Sequence, residues 1–360
     1  MTKIEMPVFV TLTEKGATLA RRLQKTVPGS VVHGRMGRVT DCDQTFDGVI
    51  SHLENLFMEG HPVIGICAAG ILIRALGSHL GSKRTDPAVI SIAENGSSVV
   101  PLLGGHRGAN RMAREFATEL GGHAAITTAG DVSLGFGLDD PPPGWAITDG
   151  TDYKSFSASL LSGTSVNLVT EVGDCDWLMA GNLSLDDTAD LTIRVTDQHT
   201  SLSDTQLVLH PPVLALGVGC ERGCDLDEVY KLVKKTINDA GLSKQSIACV
   251  TSIDVKSDEK AVLALAEKLG VPARFFSASE LEALTPRLKT PSDVVFAEVG
   301  CHGVSEGAAL AAGGVDAELI VPKTKSARVT CAIARSPKDI NAKTVGRARG
   351  KLTIVGIGPG

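Results

Sequence analysis

Two stretches of this 360-residue chain set glycines beside residue types that bind anions or move protons. In "LLGGHRGAN" (102–110), Gly104, Gly105 and Gly108 stand between an apolar run and a helical pattern, with His106 and Arg107 at the junction and Asn110 just inside. Glycines let a ligand approach the backbone, and the first N–H groups of a helix, with its dipole, attract an anion. Arg111 and Arg114 continue one face of that helix. A plain tight turn, with Arg111 paired to Glu115, accounts for the same letters. An imidazole at such a junction suits a base at neutral pH, and Asp86 and Glu94, which flank the run "PAVISIA", are carboxylates able to serve as acid or base.

"GVGCERGCD" (217–225) repeats the arrangement with Gly219, Cys220, Glu221 and Arg222, and Asp254 and Lys256 follow the next apolar run. The spacing G-x-G-x-x-x-G with a later acid imitates a dinucleotide fingerprint, so a nicotinamide oxidoreductase stays open as an alternative. Cys220, Cys224, Cys301 and His302 follow apolar runs, but no spacing among them is a zinc pattern, and no metal is expected. His33, His52, His61, His79, His123 and His210 read as ordinary histidines.

Strands must present these residues and helices must back them. Residues 1–131 alternate the two: "MPVFVTL" precedes a helical pattern, "SVVHGR" and "HPVIGICA" do the same, and Met112, Ala113, Phe116, Ala117 and Leu120 recur at helical spacing up to Gly121. Such alternation predicts a mostly parallel sheet with helices on both faces. Across 132–210 the pattern changes to short β-like runs after Pro141–Pro143, and a small β-rich module is expected. The α/β pattern returns over 211–335, where a helix opening at Asp225 presents Leu226, Val229, Val233 and Ile237. Residues 336–350, basic and without apolar periodicity, read as a linker, and 351–360 as the start of something separate. The expected fold class is α/β: two α/β domains with mostly parallel sheets flanking the middle module.

Composition narrows the function classes. Lys plus Arg (35) against Asp plus Glu (41) leaves −6 with no basic run, which argues against nucleic acid. The middle module carries 11 Asp and Glu171 against Lys154 and Arg194, a net −10, which leaves the α/β parts at +4. Mildly basic lobes suit an anionic small molecule. Eight dispersed cysteines with no C-x-x-C point to free thiols. With no membrane-spanning run and no signal-peptide pattern, a cytoplasmic protein is expected. A homodimer is left open.

The wording adds more. "TDPAVISIAENGSSVVPLLGGHRGANRMAREFATELGGHAAITTAGD" resembles the amino-terminal region of the CbiG family of cobalamin-biosynthesis proteins; "GVGCERGCDLDEV", "TSIDVKSDEKAVLALAEKLGVPARFF" and "VGCHGVSEGAALAAGG" resemble its carboxy-terminal, CobE-like region. The resemblance spans about 1–335, with a looser middle. It implies hydrolytic opening of the ring A δ-lactone of cobalt-precorrin-5A with release of acetaldehyde, cobalt belonging to the substrate and no protein-bound cofactor being needed. A non-catalytic tetrapyrrole carrier is the alternative within that resemblance. His106, Glu94 and Asp86 are then the candidates for proton transfer. Lys83, the backbone at Gly104–Gly108 and Arg107 are candidates for holding carboxylates, as are Arg222, Lys256 and Lys323, with Glu221, Ser305 and Glu306 close in motif. The family often has Ser at position 104, Gly at 107, a basic residue at 221 and Thr at 224. "GKLTIVGIGPG" resembles the start of the tetrapyrrole methylases that use S-adenosylmethionine, in particular the precorrin-3B C(17)-methyltransferase, and implies a fused or neighbouring methyltransferase.

Overall fold

Alternating apolar residues give the first sheet two buried faces. The computed structural model describes residues 6–82, 85–201 and 203–349, with only the backbone of His106, and the chain divides into two compact units, 1–140 and 141–360. Lys83 and the methylase-like stretch 351–360 lie outside the described residues. In the N-terminal unit β1 (Val8–Thr11), α1 (Glu14–Gln24), β2 (Val31–Arg35), β3 (Gln44–Phe46), α2 (Val49–Met58), β4 (Val63–Ile66), α3 (Ala69–Leu76), β5 (Val89–Ile92), β6 (Ser98–Leu103), α4 (Ala109–Leu120), β7 (His123–Ala124) and α5 (Ala129–Ser133) follow in turn. They form a seven-stranded sheet of order β3-β2-β1-β4-β5-β6-β7. Its neighbours are parallel except β5 and β6.

Val8, Val10, Val63 and Val89 share one face with Leu53, Phe57, Leu72 and Leu76 from α2 and α3. Phe9, Ile64, Ile90 and Ile92 share the other with Ala20, Leu23, Ala113 and Phe116 from α1 and α4. The period-2 pattern thus places helices on both sides. From β1 the chain runs outward to β2 and β3 and then returns to β4, so connections diverge beyond the carboxyl ends of β1 and β4. Open α/β sheets bind ligands at such a divergence.

The C-terminal unit holds two sheets. β8 (Ala146–Ile147), α6 (Tyr153–Leu161), β9 (Val166–Thr170), α7 (Asp176–Met179), β10 (Leu191–Val195) and β11 (Gln206–His210) form a four-stranded sheet of order β8-β11-β10-β9. β9, β10 and β11 are parallel and only β8 is antiparallel. Helix α6 escapes the sequence pattern because it buries only Phe156 and Leu160 among serines.

The second sheet comprises β12 (Leu214–Cys220), α8 (Leu226–Asp239), β13 (Ile247–Ile253), α9 (Lys260–Leu269), β14 (Ala273–Phe276), α10 (Ala278–Glu282), α11 (Asp293–Val299), α12 (Val304–Gly313), β15 (Glu318–Lys325) and β16 (Val329–Arg335). Its strand order is β14-β13-β12-β16-β15, with β16 antiparallel to both neighbours. On one face α8 and α9 pack Val229, Val233, Val262 and Leu265 against Leu216 and Val218. On the other lies α12, "VSEGAALAAG", whose small residues let its backbone sit on β12. The mostly parallel α/β class expected from the sequence is the class observed.

Residues 336–349 are packed, which corrects the linker reading. Ile340 is buried, Phe275 and Arg347 exchange two backbone hydrogen bonds of 2.8 Å, and the Arg274 guanidinium donates to the carbonyls of Lys343, Val345 and Gly346. The segment covers the open edge of β14 through backbone contacts, which leave no apolar period to read.

Candidate functional site

In the N-terminal unit the sheet separates the candidates for proton transfer. Glu94 follows β5 at the carboxyl edge, where the Thr13 hydroxyl donates to its carboxylate at 2.6 Å while accepting from the Gly16 N–H as the cap of α1. Cys67 follows β4 nearby; burial first, and then the Glu94 charge, push its thiol up to about 11. Because β6 runs antiparallel, the glycine loop after it falls at the opposite edge, beside the start of β5. There a Cβ on Gly104 would stand 2.7 Å from Ala88 Cα, and Arg107 Nη1 donates to the Thr85 carbonyl at 2.8 Å. The four residues of β5 place roughly 13 Å between the two groups.

Asp86 shares the loop's edge, and its carboxylate accepts from the N–H groups of Gly81 and Ser82, which makes it a brace for the preceding turn. Gly104 and Gly108 have φ of 75° and 87°, conformations that only glycine adopts without strain. Asn110 donates to Thr128 and Asp131, Arg114 pairs with Asp131 at 2.5 Å, and Arg111 pairs with Asp140 at 3.1 Å rather than with Glu115. A pocket of about 280 Å³ remains between Gly104, Gly105, Asn110 and Thr128. The His106 side chain lies outside what the structure describes.

In the C-terminal unit a pocket of about 520 Å³ opens where β12 and β13 end and α12 begins. It gathers Gly219, Cys220, Glu221, Arg222, Lys256, Ser305 and Lys323, and adds Lys325 and Arg328, which the sequence reading missed. The signal for these two was the basic alternation in "PKTKSAR", which spans the end of β15 and the turn into β16. Glu221 is neutralised by Arg328 at 2.8 Å, and Arg222 pairs with Asp258 at 3.0 Å. Lys323 Nζ donates to the Thr290 carbonyl. Among the described residues Lys256 and Lys325 form no ion pair. Burial, followed by the Cys224 contact, pushes the Cys220 thiol up to about 12, so it stands protonated and is no thiolate nucleophile.

Two expectations fail here. Helix α8, behind "GVGCERGCD", is not an open anion mouth: its Asp225 cap accepts from the Asp227 N–H, and Asp227 and Glu228 fill its first turn. Gly217 gives no room for a pyrophosphate, because a Cβ there would already lie 1.8 Å from the Ser305 carbonyl oxygen. The nicotinamide alternative loses its fingerprint on both counts. Asp254 sits in a turn after β13, apart from the residues lining the pocket. Glu306 is buried and faces away as a structural tie, accepting from the N–H groups of Lys289, Thr290 and Lys323 and from the Thr290 hydroxyl. Burial raises that carboxyl, but the four hydrogen bonds, that of Lys323 first, outweigh it and hold the group below its ordinary range. Among the described residues no group of three or more His, Cys, Asp and Glu is placed to hold a metal, and no helix is long and apolar enough to cross a membrane.

Comparison with known proteins decides the lineage. Residues 51–131 match the family model "Cobalamin synthesis G N-terminal" and residues 214–334 match "Cobalamin synthesis G C-terminus". The chain is 30% identical over 358 residues to the cobalt-precorrin-5A hydrolase of Priestia megaterium, covering 92% of this chain and 95% of that protein. The chain belongs to the CbiG family. Within that family it is also 28% identical to the cobalt-precorrin-5A hydrolase of Salmonella typhimurium, across 78% of this chain and 84% of that one. Over 121 residues it is 47% identical to Protein CobE of a Sinorhizobium species, covering 34% of this chain and 79% of that protein. The CbiG C-terminal match contains the whole 520 Å³ pocket, and the N-terminal match contains Glu94 and the glycine loop.

Proposed function

We propose that this chain acts in cobalamin biosynthesis by opening the ring A δ-lactone of cobalt-precorrin-5A, yielding cobalt-precorrin-5B and acetaldehyde. The reading rests on the end-to-end match to a hydrolase of that name. The pocket supports it, because a tetrapyrrole fringed with acids needs a cationic, partly apolar seat, and cationic side chains line this one. Water attacks the lactone carbonyl, the acyl C–O bond breaks, and a carboxylate and a hydroxyl are formed. The hydroxyl then loses its proton, the bond joining its carbon to the macrocycle breaks, the macrocycle takes the electron pair, and two carbons leave as acetaldehyde.

Each unit has a proposed share. In the N-terminal unit proton transfer is assigned to Glu94, which stands at the divergence of the sheet with one carboxylate oxygen fixed by Thr13, and as an alternative to His106. Asp86, engaged by two backbone N–H groups, and Lys83 are secondary candidates. Carboxylate anchoring in this unit is assigned to Arg107 and the Gly104–Gly108 backbone. In the C-terminal unit it is assigned to Arg222, Lys256 and Lys323. The hydrolase needs no cofactor of its own in this reading, and the cobalt arrives in the substrate. A precorrin-3B C(17)-methyltransferase using S-adenosylmethionine, fused or neighbouring, is proposed as partner on the wording of 351–360, with the cytoplasm as the compartment.

Incubating the full chain with cobalt-precorrin-5A and measuring acetaldehyde with alcohol dehydrogenase and NADH tests the reading. Stoichiometric release supports it. Retention of the tetrapyrrole without release would replace the hydrolase with a carrier.

A further inference from the structure

We propose that the amino end of α12, together with the Ser305 hydroxyl, is a seat for one peripheral carboxylate of the macrocycle; the inference rests on the tetrapyrrole reading above. Helix α12 is ten residues long and begins after Gly303, which has no side chain to cap it. The N–H groups of Val304, Ser305 and Glu306 occupy the first turn, where no intrahelical acceptor exists. The helix dipole adds positive potential at that end.

Ser305 supplies an independent sign of a ligand. It is 2% exposed, it lines the pocket, and its hydroxyl has no hydrogen-bond partner. Buried hydroxyls are nearly always bonded, and an unsatisfied one costs stability that a ligand oxygen would restore. Among the described residues three acids stand near the seat: Glu306 and Glu221 are already engaged, and the exposed Glu298, which also lines the pocket, is outnumbered by the lysines there. Glu306 is saturated by four donors and Glu221 is held by Arg328. Lys256, Lys323 and Lys325 also line this pocket. Separate cations around one helix end suit carboxylates spaced along the rim of a ring, whereas a single compact phosphate would use a tighter cluster.

Two substitutions isolate the seat. Val304→Pro deletes one N–H at the first helical position, where proline is well tolerated, and Gly303 before it is extended (φ −173°, ψ 109°), as a residue preceding proline must be. Ser305→Ala deletes the hydroxyl alone. The probe is uroporphyrin III, an octacarboxylate, titrated by fluorescence against the full chain beside its octamethyl ester.

The wild type is expected to bind the acid more tightly than the ester, and each variant to weaken acid binding about tenfold, the worth of one charge-assisted hydrogen bond, with ester binding unchanged and the melting temperature of the ligand-free variants not lowered, Ser305→Ala being relieved of an unsatisfied hydroxyl. Acid binding equal to wild type in both variants overturns the seat. Displacement by inorganic phosphate at concentrations where acetate has no effect also overturns it, in favour of a phosphate site. The acetaldehyde assay is run in parallel: weakened variants without release keep the seat and remove the hydrolase, and unaltered variants with release do the reverse.

Discussion

Gly217 on β12 lies directly beneath Ser305 on α12, so close that a Cβ at 217 would stand 1.8 Å from the Ser305 carbonyl oxygen and 2.9 Å from the Ala309 nitrogen. Strand and helix backbones meet here with nothing between them, and that contact sets the height of α12 above the sheet and the depth of the pocket.

Gly217→Ala is therefore expected to cost about 3 kcal/mol, because the obstacle is backbone and cannot swing aside. Gly219→Ala meets the Thr330 hydroxyl at 2.7 Å, a rotatable group, and should cost less. Urea denaturation of the two variants checks the order; equal losses would refute it.

Glu94→Gln keeps the shape of the carboxylate and removes its basicity. Acetaldehyde release should fall by about 100-fold or more if Glu94 takes the proton. The side chain is exposed, so the melting temperature should move little. His106→Ala provides the comparison. If it alone abolishes release with tetrapyrrole affinity unchanged, the base lies in the glycine loop.

His33 on β2 predicts a pH dependence of stability. Its Nδ1 meets His52 Nε2 at 2.9 Å, its Nε2 is buried without a partner, and burial first, then His52, lower its pKa to about 4. Between pH 6.5 and about 4 the unfolded chain binds a proton that the folded chain refuses, so the contribution is whole above 6.5 and drains as the pH falls towards 4, by about 3 kcal/mol at most. His33→Gln should flatten this limb. Identical pH profiles for the variant and the wild type would contradict the assignment.

Arg274 is expected to hold the 336–349 segment in place. Arg274→Gln removes a guanidinium donating to three carbonyls and should cost about 2 kcal/mol. Amide exchange should accelerate across 336–349 and remain slow in β12 and β13. Unchanged exchange in the segment would show that Ile340 and the Phe275–Arg347 pairing suffice.

Much of this molecule is legible from residue order alone. Alternation such as Val8-Phe9-Val10 fixes which side chains face which helix layer, since successive strand residues point to opposite faces whatever the strand's neighbours. The local sequence likewise marks the helix opening at Asp225, the glycines at 104 and 108, and the wording shared with the CbiG family. It does not set strand direction or which helix covers which strand, because those depend on pairing between segments far apart in the chain. The antiparallel course of β6 carried the glycine loop to the edge opposite Glu94. The descent of α12 onto Gly217 made that helix, and not α8, the open anion end. Lys325 and Arg328 joined Lys256 across the sheet only because β16 inserts beside β12.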